Sequence, residues 1–270
     1  MLYYYGKFVL VYIKDVIFLI SIGIDVGSVA AKAVAYDGSK IVTTALAPTG
    51  WSPKEIGEKL LDEVMAKASI SKEDIKSIVG TGYGRISLPF IDKQVTEITC
   101  HGIGAYHLDP KIRTVIDIGG QDSKVIKLNQ EGQVVDFLMN DKCAAGTGRF
   151  LQVMANALAV DISDLSRLAT GAEPANISSM CTVFAESEVV SLVAEGASKE
   201  TIAAGLLQSV CNKTYSLVSK VGVEDKVFFS GGVSKNEKLK EMLSEKLGIP
   251  VISSEESQYL GAIGAAIIGF

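Results

Sequence analysis

Three glycine-containing turns, each placed directly after an apolar segment, are the residues of this chain best suited to bind phosphate. They are Asp25-Val-Gly-Ser28, Asp117-Ile-Gly-Gly-Gln-Asp122 and Gly231-Gly-Val233. Glycine permits positive φ and lets backbone N–H groups approach a phosphate closely. An aspartate in the first two turns would repel a bare phosphate, so Mg²⁺ and its water are expected between them. One such turn alone would be ordinary, but three in this order predict a phosphate-binding site.

Polar residues beside these turns complete the candidate site. Lys32 and Lys124 each follow their aspartate by seven residues and could add positive charge. The third turn is predicted to open a helix whose N-terminus favours anions. Gln121 could orient an attacking water, a plain turn residue being the alternative. The predicted catalytic residues are Asp25, Asp117 and Gln121, the two aspartates also holding Mg²⁺ directly or through water. The predicted ligand-binding residues are Gly27, Ser28, Lys32, Gly119, Gly120, Asp122, Gly231, Gly232 and Asn236.

Two cysteines, Cys143 in NDKCAAGTGRFLQV and Cys181 in SSMCTVFAESEVV, each precede a predicted helix. A helix N-terminus stabilises a thiolate, which can be a nucleophile or a metal ligand; a small core residue is the third possibility. A nucleophile lacks a partner, because His101 and His107 lie far earlier and are interpreted as ordinary polar residues. Two thiolates are half of what a 4Fe-4S cluster or a tetrahedral zinc ion needs, and a twofold dimer would supply four. Cys100 and Cys211 are expected to be packing residues.

The elements that must position these groups alternate between strand and helix signals. The segments 19–47 and 114–140 share one plan of strand, Asp-x-Gly turn, returning strand, turn and third strand. Their aspartates stand 92 residues apart, which indicates an internal duplication. We expect two α/β lobes, the first over 19–105 plus 257–270 and the second over 106–256. The helices are predicted at 53–68, 92–105, 147–159, 184–195, 200–220 and 235–246, with a small-residue apolar helix at the C-terminal end.

The composition excludes several classes of protein. The chain has 26 basic and 31 acidic side chains, a net charge of −5, which disfavours nucleic acid or an anionic membrane as partner. Four widely spaced cysteines do not make a disulfide scaffold, and a reducing cytoplasm is expected. Residues 1–24 are apolar, but Lys7, Lys14 and Asp15 leave runs too short to span a membrane. A buried strand is expected over 16–24, and 1–18 is an extra segment of unknown role.

The order of the three turns resembles that of the actin/hexokinase/Hsp70 ATPase superfamily. That resemblance implies two duplicated ribonuclease H-like lobes that hold Mg-ATP or ADP in a nucleotide cleft between them. Neither GxxxxGK[ST] nor GxGxxG occurs at a matching position, which disfavours P-loop and dinucleotide-binding folds. More specifically, residues 20–270 resemble the 2-hydroxyacyl-CoA dehydratase activators, or archerases, of the BadF/benzoyl-CoA reductase-type ATPase family. The segments that carry this resemblance are IGIDVGS, TGYGR, DKQVTEITCHG, VIDIGGQDSKVI, MNDKCAAGTGRFL, SSMCTVFAESEV and SGGVSKN.

The family resemblance implies an oxygen-sensitive homodimer that holds one 4Fe-4S cluster through Cys143 and Cys181 of both subunits. ATP hydrolysis would drive a low-potential electron from ferredoxin or flavodoxin to a partner enzyme. That partner would be a 2-hydroxyacyl-CoA dehydratase, a double-cubane cluster reductase or a benzoyl-CoA-type reductase. Two alternatives stay open from the residues alone: a small-molecule kinase of the same superfamily, and a nucleotide-gated regulatory protein without a cluster.

Overall fold

Two five-stranded sheets, with helices packed on them, form the fold of this protein, seen here in a computed structural model that describes residues 19–178, 181–224 and 226–270. The sheet orders are β3-β2-β1-β4-β5 and β10-β9-β6-β7-β8. In each sheet the first three strands form an antiparallel meander, and the fourth lies parallel to the first. The predicted α/β architecture of two duplicated lobes is confirmed.

The first sheet and its helices begin at the first described strand. Their bounds are β1 Ile20–Val26, β2 Ala30–Tyr36, β3 Ile41–Pro48, α1 Pro53–Ala68, β4 Ile75–Thr81, β5 Lys93–Gln94 and α2 Glu97–Leu108. Helix α1 starts where the Ser52 side chain accepts a hydrogen bond from the Glu55 N–H and Pro53 takes the first helical position. It buries Leu60 and Val64 against the sheet. The interpretation of residues 16–18 as strand falls outside the described residues, as does the extra segment.

The second half repeats the meander and then lengthens the connection that follows it. Its elements are β6 Thr114–Ile118, β7 Ser123–Leu128, β8 Val134–Asn140, α3 Gly148–Ala157, α4 Leu165–Ala169, α5 Thr182–Ala194, α6 Lys199–Val221, β9 Val227–Ser230, α7 Glu237–Leu247, β10 Val251–Ile252 and α8 Leu260–Gly269. The main core lies between this sheet and helices α3 to α7.

Two helix predictions need correction. The helix predicted over 92–105 begins only at Glu97, because Thr96 caps it through the Thr99 N–H and β5 precedes it. The third glycine turn opens a short 3₁₀ turn over Gly232–Lys235 and not a long helix. The long helix α7 starts after Asn236, whose Oδ1 accepts from the Leu239 N–H at 2.9 Å.

Helices α2 and α8 lie between the two sheets, and α2 contributes Glu97 and His101 to the wall of the cavity described below. As predicted, the C-terminal helix packs back on the first lobe, against β1 and β4. Its small residues allow backbone contact with α2, since a Cβ on Gly264 would lie 1.8 Å from the carbonyl oxygen of Cys100. Within the part of the chain that the structure describes, no helix has the length and apolarity needed to cross a bilayer.

Candidate functional site

A cavity of about 530 Å³ opens between the two lobes and is lined by all three glycine turns. This volume suits a nucleotide-sized ligand. The structure brings eleven of the twelve predicted residues together in its wall. They are Asp25, Gly27, Ser28, Lys32, Asp117, Gly119, Gly120, Asp122, Gly231, Gly232 and Asn236. Gln121 is exposed and does not belong to the lining, so no contact in the structure supports it as the residue that orients water.

The two lysines pair with the aspartates of their own turns. In each meander the aspartate faces its lysine across the antiparallel register, Asp25 opposite Lys32 and Asp117 opposite Lys124. The Nζ–Oδ2 distances are 3.1 Å in the first pair and 2.8 Å in the second. Because the lysines balance carboxylates already, they add less free positive charge to the cavity than the sequence predicted.

The duplication extends to the loops that follow β4 and β9, a correspondence that the sequence analysis did not predict. Thr81 pairs with Asp25 on the neighbouring parallel strand, and Ser230 occupies the same register beside Asp117. Each is followed by a glycine with φ near +80° that begins a 3₁₀ turn: Gly82 at +80° and Gly231 at +84°. A Cβ at either position would collide with backbone at 2.5 Å or less, so glycine is required at both.

A buried charge network surrounds Asp117. Its Oδ1 accepts from the Ser230 hydroxyl at 2.6 Å and faces His101 Nε2 at 3.3 Å, while Oδ2 accepts from Lys124 Nζ. Burial would raise the pKa of the Asp117 carboxyl, but the positive charges of Lys124 and His101 hold that pKa well below its ordinary value. Asp117 therefore stays ionised although its side chain is almost fully buried.

His101 corrects the sequence interpretation, which treated it as an ordinary polar residue. It lies within α2, is 7% exposed and lines the cavity. Burial would lower the pKa of the imidazole, but the Asp117 charge and hydrogen bond outweigh burial and raise it. No spacing pattern in the sequence marks this histidine, since its partner is 16 positions away on another element.

Tyr83 joins the lobes at the cavity. It belongs to the TGYGR segment, and its hydroxyl donates to Asp122 Oδ2 at 3.3 Å. Burial and the charges of Asp122 and Glu97 raise the pKa of Tyr83 to about 12, so the phenol stays protonated as a donor. Arg85 of the same segment donates to the Gly82 carbonyl at 2.7 Å and so supports this loop.

The second glycine turn, called here the second phosphate loop, is hydrogen-bonded directly to helix α3. The first N–H groups of that helix, on Gly148 and Arg149, donate to the carbonyls of Gly119 and Gly120 at 2.9 and 2.8 Å. Just upstream, the Asn140 side chain donates to the carbonyls of Cys143 and Ala145 at 2.9 and 3.1 Å. The loop that contains Cys143, between β8 and α3, is thus attached at one end to the sheet and at the other to the second phosphate loop.

The four cysteines fall into two classes. Cys100 and Cys211 are buried, and burial raises the pKa of the first thiol to about 12 and that of the second to about 11. Cys143 and Cys181 are exposed, the second as the N-cap residue of α5, which packs on α3. Within 19–178, 181–224 and 226–270, no three His, Cys, Asp or Glu side chains gather as a metal site. The two exposed thiols therefore lie near the N-terminal ends of two packed helices, Cys143 in the loop before α3 and Cys181 at the start of α5.

Helix α5 carries an exposed apolar face beside Cys181. Four of its hydrophobic side chains are about half exposed or more: Val183 at 67%, Phe184 at 68%, Val190 at 57% and Val193 at 49%. Val183 and Val190 are seven residues apart and Val193 follows Val190 by three, so these three valines share one side of the helix, with Phe184 next to Val183 at its start. Such a contiguous apolar surface is typical of an interface.

Thiol labelling of the reduced protein is expected to separate the two classes of cysteine. At pH 8, Cys143 and Cys181 should react with iodoacetamide at least ~100-fold faster than Cys100 and Cys211, because buried thiols ionise little and are shielded. Mass spectrometry of peptides over time measures the rates. Labelling in denaturant, where all four should react alike, is the control. Fast labelling of Cys100 or Cys211 in the folded protein would contradict the burial described above.

Comparison with known proteins identifies the family of this chain. Residues 22–269 match the model of the BadF/BadG/BcrA/BcrD ATPase family. The chain belongs to this ATPase family. It is 46% identical to the (R)-2-hydroxyglutaryl-CoA dehydratase activating ATPase of Acidaminococcus fermentans, over 93% of this chain and 96% of that protein.

Two solved structures of the family superpose closely on this chain. The first is component A of the Acidaminococcus fermentans (R)-2-hydroxyglutaryl-CoA dehydratase, with a TM-score of 0.88, 45% identity and coverage of 93% of this chain and 97% of that one. The second is the activator of the 2-hydroxyisocaproyl-CoA dehydratase from Clostridium difficile with bound ADPNP. Its TM-score is 0.87 at 42% identity, covering 93% of this chain and 94% of that one. These findings confirm the family resemblance, and the ATPase family together with the relative solved with bound ADPNP supports ATP as the nucleotide.

Proposed function

We propose that this protein is an ATP-dependent activator that passes a low-potential electron to a 2-hydroxyacyl-CoA dehydratase-type iron–sulfur enzyme. The observation that carries the proposal is the direct bonding of the second phosphate loop to the helix that follows Cys143. A kinase of the same superfamily would have no use for two exposed cysteines at the ends of packed helices. The names of the relatives point the same way.

The nucleotide is proposed to lie in the cavity with its phosphates at the glycine turns. Backbone N–H groups near Gly27, Gly119 and Gly231 would approach the phosphate oxygens. Asp25 and Asp117 would hold Mg²⁺, in part through water, since three donors already reach the Asp117 carboxylate. For Asp25, Lys32 occupies Oδ2, and among the described residues no donor reaches Oδ1, which suits a metal-bound water.

Cys143 and Cys181 are proposed to hold one 4Fe-4S cluster together with the same two cysteines of a second subunit. When bound, that group supplies a one-electron carrier of low potential. The exposed apolar face of α5 lies next to Cys181 and offers surface for the homodimer or for the partner enzyme. Exposed thiols of this kind need a reducing compartment, so we place the protein in the cytoplasm and expect it to be sensitive to oxygen.

The coupling is proposed to be mechanical. ATP and water become ADP and phosphate, while a reduced ferredoxin or flavodoxin loses one electron and the partner enzyme gains it. A change in the Gly119-Gly120 loop is transmitted to α3 because the first N–H groups of α3 bond that loop. Helix α3 packs on α5, so both helix ends near the cysteines respond together. The partner is a 2-hydroxyacyl-CoA dehydratase, a double-cubane reductase or a benzoyl-CoA-type reductase.

Anaerobic purification tests the proposal. We expect about four iron and four sulfide per two chains, a brown protein with broad visible absorption, and ATP hydrolysis. Size measurement should give a dimer. A colourless monomer that hydrolyses ATP at full rate would contradict the cluster and favour a nucleotide-gated regulator. A brown dimer without ATP hydrolysis would contradict the coupling.

A further inference from the structure

His101 is the one cavity-lining side chain of α2 that contacts the Asp117 carboxylate among the described residues. Helix α2 belongs to neither sheet and lies against α8 as well as against β6, β7 and β8. The other two donors to Asp117, Ser230 and Lys124, stand on strands of the same sheet as Asp117 itself. His101 therefore links this carboxylate to helix α2, which lies between the two sheets.

The ring of His101 is held at two points. Its Nδ1 lies 2.8 Å from the carbonyl oxygen of Glu97, and its Nε2 lies 3.3 Å from Oδ1 of Asp117. A carboxylate oxygen that is ionised can only accept, so Nε2 carries the hydrogen in the contact with Asp117. The contact with Glu97 fixes the orientation of the ring, and the ring in turn directs its Nε2–H at the carboxylate.

The same ring also lies close to the aspartate of the other lobe. A side chain beginning on Gly261 would meet Asp25 Oδ2 at 3.0 Å and His101 Cε1 at 3.1 Å, so the two atoms border one small space. The ring of His101 therefore contacts Asp117 of one lobe and borders the same space as Asp25 of the other.

We propose that His101 is a positioning residue that fixes the Asp117 carboxylate relative to the loops of both lobes during ATP hydrolysis. This inference rests on the proposed function, in which Asp117 acts on the Mg²⁺-bound phosphates. A carboxylate free to turn would no longer hold the metal or its water in the arrangement that the transition state needs. In that function the nucleotide is bound mainly by backbone N–H groups of the glycine turns, and His101 contacts these turns only through the Asp117 side chain.

Two substitutions separate the directional hydrogen bond from simple space filling. His101→Gln can place an amide N–H near the position of Nε2 and so keep a donor to Asp117. His101→Asn reaches only as far as Nδ1 and leaves Asp117 Oδ1 without this donor. We expect His101→Asn to lower kcat about 10- to 100-fold while KM for ATP stays within about threefold. His101→Gln should recover at least about a third of the wild-type kcat.

The matched control is His107→Asn on the same helix. His107 is half-buried, packs its edge against the Tyr36 ring with centroids 5.4 Å apart, and does not line the cavity. We expect wild-type kinetics from it. Thermal unfolding of all variants shows that they are folded. The Mg²⁺ concentration for half-maximal rate gives a second readout, expected to rise in His101→Asn and to return toward wild type in His101→Gln.

The outcomes distinguish the inference from the function on which it rests. If the wild-type protein neither binds nor hydrolyses ATP, the proposed function fails and the inference falls with it. If the wild type hydrolyses ATP and His101→Asn is unchanged, only the role of His101 is overturned. Equal impairment of the Asn and Gln variants would also overturn it, because a directional donor would then not matter.

Discussion

Alanine in place of either Cys143 or Cys181 is expected to abolish iron binding. The iron content of the anaerobically purified protein should fall from about four to less than about one atom per two chains, with loss of the visible absorption. Each substitution removes two of the four thiolates of the proposed site, because the site is built from two copies of the chain. Alanine is preferred to serine, since a hydroxyl could serve as a weak replacement ligand.

Cys211→Ala is the matched control for these variants. Cys211 is buried in the core on α6 and should affect stability but not iron. The size of each variant in solution shows whether the apolar face of α5 keeps two chains together without the thiolates. Retention of the full iron content by Cys143→Ala and by Cys181→Ala would refute the assignment of both residues.

Asp117→Asn is expected to have the largest effect on ATP turnover. We expect kcat to fall by a factor of about 10² to 10³, because the site loses the charge that, under the proposed function, would face Mg²⁺ and the phosphates. The folded state should also lose up to about 3–5 kcal/mol, because buried His101 loses its carboxylate partner and buried Lys124 keeps only Asp122 and Glu97 as counter-charges. Steady-state kinetics and chemical unfolding measure the two effects separately.

Two further substitutions calibrate the Asp117 result. Asp136→Asn changes an exposed carboxylate on β8 and should alter stability by less than about 0.5 kcal/mol. Asp25→Asn should cost less stability than Asp117→Asn, because Lys32 keeps 15% of its side chain exposed against 3% for Lys124. Equal loss at both aspartates would argue against the buried network as the source of the effect.

The phosphate-loop side of the site was predictable because it depends on local order. A glycine turn after an apolar strand, with an aspartate at the strand end, has a sequence signature, and Asp25 and Asp117 fell where it placed them. The equal seven-residue spacing to Lys32 and Lys124 also explains their pairing with the aspartates, since that distance closes a tight antiparallel turn. That these lysines neutralise the aspartates became evident only from the strand register in the structure.

Other features depend on packing between distant segments and leave no local pattern. His101 reaches Asp117 only because α2 lies between the sheets, and an isolated histidine on an apolar helix has no distinctive spacing. Gly82 and Gly231 correspond in backbone conformation, yet TGYGR and SGGVSK share too few letters to show it. Gln121 was predicted from its place after two glycines, but the turn leaves it outside the cavity wall.

The unequal connections of the two halves determine which half carries the two exposed cysteines. In the first half a single long helix, α1, connects β3 to β4, whereas in the second half the four helices α3 to α6 connect β8 to β9. Cys143, Cys181 and the apolar face of α5 all lie in that one connection. Under the proposed function, one enlarged connection in the second half therefore holds every residue assigned to the cluster, while the first half keeps the short form of that connection. Because the same enlarged connection packs on the second sheet and lines the cavity through Gly148, Arg149 and Gln152, a substitution within it can alter the nucleotide side and the cysteine side together.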